Sequence, residues 1–410
     1  GRELVKKLRG MFAFVIWDTK EKKLFGARDM FGIKPMYYTT TKDGEFIFAS
    51  EIKSMLAHPH FERAVNKNAL LPYLTFQYSA TEETFFVGVY KLLPAHFFEW
   101  KDGEFVTERY WDVDFEAKDG DFEAYSEELD RVVHASVEAH RISDVPVGSF
   151  LSGGVDSSYI TACLMPEETF SVGFEGEHEK FNETNEAAEL SQRLGIKNVR
   201  RMISADECFE AFPTIQYHMD EPQSNPSSVP LYFLAKLAAE DVTVVLSGEG
   251  ADEIFAGYEW YDETPMMRKY KKLPQFLRIA AARVARALPY FKGHDFIIKA
   301  SGRPEDYFIG QALVFPEREA KAVLRDEYKN GERVHDITGK IYARVKGRDE
   351  LTKKQYLDLM LWLPGDILLK ADKMSMAHSL ELRVPFLDKE VMKMAEKIPA
   401  KYKITKENTK

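Results

Sequence analysis

The sequence predicts an α/β protein in two parts: an antiparallel, β-rich part, then a doubly wound parallel sheet with a mainly helical C-terminal part. Three observations lead to this fold class. Short strand patterns joined by tight turns fill the chain up to residue 112. Strand and helix patterns then alternate from residue 123 to residue 246, which is typical of a parallel sheet with crossover helices. After Gly257 the patterns are mainly helical.

The first part contains three predicted strand pairs, each with apolar residues on either side of a polar turn. Helical patterns are expected near residues 51–57 and 66–75. The strand pairs are 11–18 with 23–28, Tyr37–Thr39 with Glu45–Ala49, and Phe97–Trp100 with Glu104–Val106.

A charged, loop-like segment, Val113–Phe122, marks the predicted boundary between a domain at 1–112 and a domain at 123–410. Beyond it, residues 123–141 are expected to form an amphipathic helix. The alternating elements that follow are the strands Pro146–Leu151, Phe170–Phe174 and Val242–Leu246, and the helices Asp156–Leu164, Thr184–Leu194 and 230–240.

Composition excludes several classes of protein. Hydrophobic residues make up 45% and charged residues 30% of the chain, the balance of a soluble globular protein. A net charge of −10 argues against nucleic acid as a general partner. No apolar run is long enough to span a bilayer, so no membrane contact is expected. The two cysteines, Cys163 and Cys208, cannot form a disulfide framework and favour a reducing, cytoplasmic compartment.

The strongest site signal is the string SGGVDSS at Ser152–Ser158, which follows a predicted strand and opens a predicted helix. Glycines let the backbone approach a ligand, and a helix start offers free N–H groups that bind phosphate or pyrophosphate. A carboxylate inside an anion pocket is costly unless a cation lies between them, so Asp156 suggests Mg²⁺. A plain Gly-Ser turn is the alternative, but the full string in this position favours a functional loop.

A second string, SGEGADE at Ser247–Glu253, repeats this arrangement after the predicted strand Val242–Leu246. At the carboxyl edge of a parallel sheet it would face the first string. Glu249 and Asp252 could then hold an amine or a metal ion. Acids that complement the dipole at a helix start are the alternative interpretation.

Two further segments attract attention. The segment Leu368–Asp388 contains Lys370 and Lys373, and alone it reads as a helix with solvated lysines. The polar segment Met219–Ser228, with Pro222 and Pro226, suits a substrate-binding loop before a helix, although an ordinary surface loop has the same composition.

The string at Ser152–Ser158 resembles the pyrophosphate loop of the N-type ATP pyrophosphatases, and the string at Ser247–Glu253 resembles a segment of the asparagine synthetases in that superfamily. The resemblance implies adenylation of a carboxylate by ATP and Mg²⁺, followed by attack of a nitrogen nucleophile. By the same resemblance, the ATP and pyrophosphate site comprises Phe150, Ser152, Gly153, Gly154, Asp156, Ser157, Ser158, Val172, Ser247 and Gly248.

The resemblance also implies roles for individual side chains. Asp156 and Asp252 would hold Mg²⁺, and Glu249 would contact aspartate or its activated form. Lys373 would neutralise charge on the activated acyl group, because of its spacing from the E-x-R-V-P-F-L-D segment; Lys370 is the weaker match. The expected activity is that of a carbon–nitrogen ligase that uses ATP, aspartate and ammonia or glutamine, with a homodimer left open.

Residues 8–53 resemble the later half of a class II glutamine amidotransferase domain, which has an Ntn-hydrolase-like α+β fold. The resemblance rests on LRGMFAF at 8–14, GIKP at 32–35 and Ala49–Glu51. In that family the nucleophile is an N-terminal cysteine, and no cysteine precedes Cys163 here. We therefore expect the chain to be truncated at its N-terminus, and at its C-terminus as well; an ammonia-dependent relative is the other interpretation.

Three functions stay open at this point. The first is asparagine synthesis through β-aspartyl-AMP. The second is a related enzyme that adenylates a different carboxylate, such as a β-lactam synthetase. The third is a non-catalytic descendant, which would be expected to have lost Asp156, Asp252 or Lys373, and all three are present.

Overall fold

The computed structural model describes residues 1–176, 182–289 and 291–404. Its N-terminal unit, residues 1–112, contains two antiparallel sheets. Their strand orders are β1-β2-β6-β7 and β4-β3-β5. Aromatic side chains join them, with Tyr38 stacked on Phe105 at 4.4 Å between ring centroids and Phe46 packed against Phe98 at 5.5 Å. The elements are α1 (Arg2–Lys7), β1 (Ala13–Asp18), β2 (Lys23–Arg28), β3 (Tyr37–Thr40), β4 (Phe46–Ala49), α2 (Ile52–Met55), α3 (Leu70–Phe76), β5 (Val89–Lys91), β6 (His96–Lys101) and β7 (Glu104–Arg109).

The C-terminal unit (residues 113–404) is built on a five-stranded parallel sheet with the order β10-β9-β8-β11-β12. The strand β11, an interior strand between β8 and β12, is buried along its whole length, which agrees with its Val-Val-Leu sequence. The strands are β8 (Val147–Phe150), β9 (Glu168–Phe174), β10 (Lys197–Ile203), β11 (Val244–Leu246) and β12 (Glu381–Arg383).

Helices cover both faces of this sheet. Helices α4 and α5 bury Val133, Val137 and Ile160 against one side. On the other side α8 packs against β9 and α17 (Leu368–Met376) packs against β12, and α7 packs on these two helices. The helices before the helical region are α4 (Phe122–Arg141), α5 (Val155–Leu164), α6 (Thr184–Leu194), α7 (Ala205–Met219), α8 (Ser228–Ala238) and α9 (Ala251–Phe255).

The chain after Gly257 is mainly helical, as expected, and β12 is its exception. A π-helical turn, Leu363–Ile367, leads directly into α17. The helices are α10 (Pro265–Lys271), α11 (Gln275–Ala287), α12 (His294–Ser301), α13 (Pro304–Tyr307), α14 (Glu317–Val323), α15 (Val334–Tyr342), α16 (Glu350–Met360), α17 (Leu368–Met376), α18 (Lys389–Ala395) and α19 (Ala400–Lys403). In the described parts of the chain, no helix is long and apolar enough to cross a membrane.

The predicted fold class is confirmed, and α6 has the predicted bounds. Five elements were not predicted: α1, β5, β10, α7 and β12. The strand β10 lies at the edge of the sheet, where its charged side chains, Lys197, Arg200 and Arg201, can remain hydrated. Helix α7 contains Pro213, a residue that normally breaks a helix. The last six residues of the predicted domain 123–410 lie outside the described residues.

Buried acids of the C-terminal unit pair with cations of the N-terminal unit. Asp220, whose side chain is 1% exposed, accepts hydrogen bonds from Lys53 Nζ at 2.9 Å and from the Ile52 backbone N–H at 3.0 Å. It also accepts one at 2.7 Å from Lys373 of its own unit. The other pairs are Asp372 with Lys34 at 2.8 Å, Asp388 with Arg9 at 2.7 Å and Glu221 with Lys91 at 3.6 Å.

We expect Asp220→Ala to lower the free energy of unfolding by about 3–5 kcal/mol, because it leaves the ammonium group of Lys373 buried without its carboxylate. Chemical denaturation measures the change. Asp119→Ala, at an exposed loop position, is the control and should change stability by less than about 0.5 kcal/mol. Equal stability of the two variants would show that the ion pairs of Asp220 do not stabilise the folded chain.

Candidate functional site

Two loops meet where the strand order reverses. From β8 the chain crosses to β9 on one side of the sheet, while β11 lies on the other side. The loop after β8 (Ser152–Ser158) and the loop after β11 (Ser247–Glu253) therefore leave neighbouring strands at their carboxyl ends. A crevice at such a switch point is where open parallel sheets bind ligands.

The two loops touch at Gly248. A Cβ atom at this position would lie 2.7 Å from the backbone nitrogen of Ser157 and 2.9 Å from the carbonyl carbon of Asp156. Real Cβ contacts do not occur at these distances, so only glycine permits the approach. The close contact brings the second loop against the first turn of α5, where N–H groups are available to an anion.

Hydroxyl groups hold the first loop in shape. Ser157 Oγ accepts a hydrogen bond from the Ser152 N–H at 3.2 Å and lies 3.1 Å from Ser152 Oγ. The Gly154 N–H donates to Ser152 Oγ at 3.3 Å. Gly153 has a φ of +87° and packs against α6, since a Cβ there would lie 2.8 Å from Glu186 Cβ. The loop is thus preformed around exposed donors, without a side-chain cap on α5.

The segment Leu368–Asp388 packs against the second loop. The Ser247 N–H donates to the Arg383 carbonyl at 2.9 Å, next to the β11–β12 pairing. Gly250 has a φ of +90°, and a Cβ there would lie 2.5 Å from the side chain of Leu387. The Arg383 guanidinium is itself fixed by the carbonyls of His140 and Ile142 at 2.6 and 2.8 Å. This segment therefore positions the second loop.

A cavity of about 470 Å³ opens between the loops. Nine of the residues predicted for the site line it, and Glu183, Ser227, Glu253 and Tyr258 join them. Gly153, Gly154 and Ser158 belong to the first loop and its helix but do not line the cavity. The predicted residues in the lining are Phe150, Ser152, Asp156, Ser157, Val172, Ser247, Gly248, Glu249 and Asp252.

Five acidic side chains line this cavity, and the charges of two of them, Asp156 and Asp252, act on Glu249. Burial raises the pKa of Glu249, and the neighbouring charges of Asp252 and Asp156 raise it further, while Lys370 lowers it. The three acids therefore lie within electrostatic range of one another. Carboxylate oxygens beside a phosphate-binding loop are the donors that Mg²⁺ prefers, so Asp156 and Asp252 fit a magnesium ion carried by a nucleotide.

Lys373 is not among the described residues that line this cavity. Its side chain is 2% exposed and its ammonium group donates to Asp220 at 2.7 Å and to the Ser50 carbonyl at 3.2 Å. These contacts lie at the interface between the units. Lys370, which we considered the weaker match, is the lysine whose charge acts on Glu249. The two lysines are three positions apart on α17, and sequence spacing alone did not separate them.

Most of the segment Met219–Ser228 contacts the N-terminal unit. Asp220 and Glu221 face the N-terminal unit, and the Ser224 N–H donates to the Gln77 carbonyl at 3.0 Å. Only its end, Ser227, reaches the cavity. Asn225 Nδ2 donates at 2.7 Å to Asp366, a fully buried acid in the π-helical turn that also accepts from Gln77 at 3.1 Å. The segment therefore joins the two units beside the cavity.

Glu253 and Tyr258 are pocket residues that sequence reasoning missed. The Glu253 side chain is 1% exposed, and the Tyr258 hydroxyl donates to its Oε1 atom at 2.8 Å. Burial raises the pKa of Glu253 to about 8, while the Tyr258 hydrogen bond lowers it. The only available signal was that Glu253 ends the second string, and nothing in the sequence linked it to Tyr258.

The fold and this cavity define an α/β protein with an open crevice at the switch point of its parallel sheet, joined to an antiparallel β unit. The comparison with family models agrees. The model "Asparagine synthase" matches residues 128–410, and the model "Glutamine amidotransferase domain" matches residues 1–111. The chain belongs to the asparagine synthase family.

Curated relatives carry the same family name. Asparagine synthetase [glutamine-hydrolyzing] 1 of Bacillus subtilis is 41% identical over the whole chain, and a putative asparagine synthetase [glutamine-hydrolyzing] of Mycobacterium tuberculosis is 39% identical. The chain spans 65% and 64% of the lengths of these two relatives. A solved structure of a glutamine-dependent NAD+ synthetase of Acinetobacter baumannii is 15% identical, with a TM-score of 0.26. The match covers 67% of this chain and 49% of the synthetase chain.

We expect Gly248→Ala to weaken the binding of inorganic pyrophosphate at least tenfold, because the added Cβ forces the second loop away from the backbone of Ser157. Isothermal titration calorimetry measures the affinity. Gly339→Ala is the matched control: this glycine lies in α15 with nothing within 4 Å of its Cβ position. The control should bind normally and gain up to about 1 kcal/mol of stability. Unchanged affinity in Gly248→Ala would contradict the contact between the loops.

Glu253→Gln should change how stability depends on pH. With a pKa of about 8 in the folded protein and 4.5 as the ordinary value, Glu253 stays protonated on folding while the unfolded chain ionises. The parent therefore loses stability as pH rises from 4.5 to 8, on the order of 4 kcal/mol, and the glutamine variant does not. Urea denaturation across this range measures the difference, with exposed Glu259→Gln as the control. A constant difference across the range would show that Glu253 is ionised in the folded protein.

Proposed function

We propose that this chain carries the synthetase site of an asparagine synthetase and makes L-asparagine from L-aspartate, ATP and ammonia. The observation that carries the proposal is the contact between the loops after β8 and β11, with three carboxylates beside them, in a member of the asparagine synthase family. The enzyme class is a ligase that forms carbon–nitrogen bonds, and the cytoplasm is the proposed compartment.

The first half-reaction forms an adenylate. An oxygen of the β-carboxylate of aspartate attacks the α-phosphorus of ATP, and pyrophosphate leaves. Donors from Ser152, Gly154 and Ser157 at the start of α5 would hold the departing pyrophosphate. Ser247 and Gly248 would hold the AMP portion, with Phe150 and Val172 along the adenine and ribose.

Asp156 and Asp252 are the proposed ligands of Mg²⁺. When bound, the ion would offset the charge of the triphosphate and of the departing pyrophosphate. The two aspartates lie on different loops, Asp156 in the first turn of α5 and Asp252 in the first turn of α9. Each loop therefore contributes one carboxylate, and the proposed metal site requires the two loops to be correctly positioned relative to each other.

Glu249 is the proposed contact for the α-amino group of aspartate. It lines the cavity with its charge balanced by Lys370, and an ammonium group would add a second positive neighbour. In the second half-reaction, ammonia attacks the acyl carbon of β-aspartyl-AMP, AMP leaves with the carboxyl oxygen, and the nitrogen loses a proton. The lysine assigned to the acyl group by resemblance, Lys373, has its charge satisfied at the interface, so Lys370 is the better-placed cation.

The match of residues 1–111 to a glutamine amidotransferase domain supports glutamine as the ultimate source of the ammonia. For this chain we propose ammonia as the immediate nitrogen donor and two domains, at 1–112 and 123–410. An enzyme that adenylates a different carboxylate is the second candidate. Glu249 within the second loop favours aspartate over that alternative, because an acid there selects a substrate with a nearby amine.

The test is pyrophosphate release by the chain with Mg·ATP, aspartate and ammonium chloride, with glutamine in place of ammonium in a parallel reaction. We expect release that depends on aspartate and ammonium and not on glutamine. Release with another carboxylate but not with aspartate would support the second candidate. Bound pyrophosphate without turnover under any of these conditions would contradict the proposed activity.

Glu249→Gln should raise KM for aspartate at least tenfold, because it removes the charge that pairs with the substrate amine. The KM for ATP should change less than threefold, since the phosphate donors are untouched. Steady-state pyrophosphate release measures both constants. Glu259→Gln, at an exposed position outside the cavity, is the control. An equal rise in both KM values would show that Glu249 acts on the whole site and not on the amine.

A further inference from the structure

A second cavity of about 200 Å³ lies between the two units and shares no lining residue with the first. One wall comes from the N-terminal unit, where Tyr37, Tyr78 and Leu93 contribute side chains. The other wall comes from α15 and from the segment that leads into α17, including Ile337, Ile341, Met360 and Leu369. A cavity of about 150 Å³ accommodates a benzene ring, so this volume holds one ring-sized apolar body with a small substituent.

The lining contains more cations than acids. Five cations contribute to it against two acids, Glu82 and Glu332. Arg28 is satisfied by three backbone carbonyls, and Lys340 pairs with Glu332 at 2.6 Å. The cations are Arg28, Lys91, Arg109, Lys340 and Arg344. Two further acids lie against this lining, because Lys91 pairs with Glu221 at 3.6 Å and Arg109 pairs with Asp112 at 2.9 Å. An anion in the cavity would therefore meet a net excess of one positive charge.

Two polar atoms of the lining find no hydrogen-bond partner among the residues that the structure describes. One is Ser79 Oγ, on a side chain that is 8% exposed, and the other is Arg109 Nε. Asp112 forms an ion pair with the Nη1 atom of Arg109 at 2.9 Å, and the Nε atom has no partner among the described residues. Buried donors without partners are rare in native proteins and call for a water molecule or a ligand. Two unpartnered donors in the lining of a mainly apolar cavity suit a carboxylate that carries an apolar body.

We propose that this cavity is a binding site for a small carboxylate with an apolar body of about one ring. The carboxylate accepts hydrogen bonds from Arg109 Nε and Ser79 Oγ, and the ring packs among Tyr78, Ile341 and Leu369. Because both units supply walls, the ligand favours the docked arrangement of the units. The site is independent of the proposed ligase activity, since it uses none of the residues around the first cavity.

The probe is phenylacetate, with the neutral 2-phenylethanol as its matched control, titrated into the chain and followed by ligand-observed NMR and calorimetry. We expect phenylacetate to bind with a Kd of about 1 mM or tighter and 2-phenylethanol to bind at least tenfold more weakly. Arg109→Gln should weaken phenylacetate tenfold, while exposed Arg318→Gln should leave it unchanged.

Ser79→Ala separates a ligand site from a merely packed interface. It should weaken phenylacetate several-fold and leave the melting temperature of the free protein the same or higher, because it removes an unpartnered hydroxyl. Equal binding of the neutral control, unchanged binding in Arg109→Gln, or no binding of phenylacetate by folded protein would each overturn the proposal. A lower melting temperature in Ser79→Ala with no change in binding would assign the hydroxyl to a structural water.

Discussion

The candidate site depends on one close contact, the approach of Gly248 to the backbone of Ser157 at the switch point of the parallel sheet. Without it, the loop after β11 would stand away from the start of α5, and Asp156 and Asp252 would not share a cavity. The contact has a cause in the fold: β8 and β11 are hydrogen-bonded neighbours, and Leu387 and Arg383 hold the second loop in place from the other side.

The second constraint is the burial of four acids at the interface between the units. Asp220, Glu221, Asp372 and Asp388 would each be costly to bury alone, and each receives a cation from the N-terminal unit. Asp372 lies on α17, which also carries Lys370, and Asp366 receives hydrogen bonds from both units immediately before that helix. The N-terminal unit therefore fixes the helix whose lysine acts on Glu249.

Sequence reasoning succeeded where the signal was local. The strings at Ser152–Ser158 and Ser247–Glu253 encode their own turns and helix starts, so both loops could be predicted together with the strands that carry them. The contacts of Lys373 and of the segment Met219–Ser228 could not be predicted, because their partners, Ser50, Ile52 and Gln77, are far away in the chain. The strand β12 is three residues long and exists only through pairing with β11, and α7 tolerates Pro213 because the helix packs against α8 and α17.

The most direct test is to follow the oxygen atoms of the aspartate β-carboxylate into the products of the reaction. Aspartate labelled with ¹⁸O in its β-carboxylate is incubated with the chain, Mg·ATP and ammonium chloride, and the products are analysed by mass spectrometry. If the two loops adenylate the carboxylate, one labelled oxygen leaves with AMP for each asparagine formed. Label in inorganic phosphate together with ADP would mean that the γ-phosphate is transferred instead, and the assignment of the loops to pyrophosphate and AMP would be wrong.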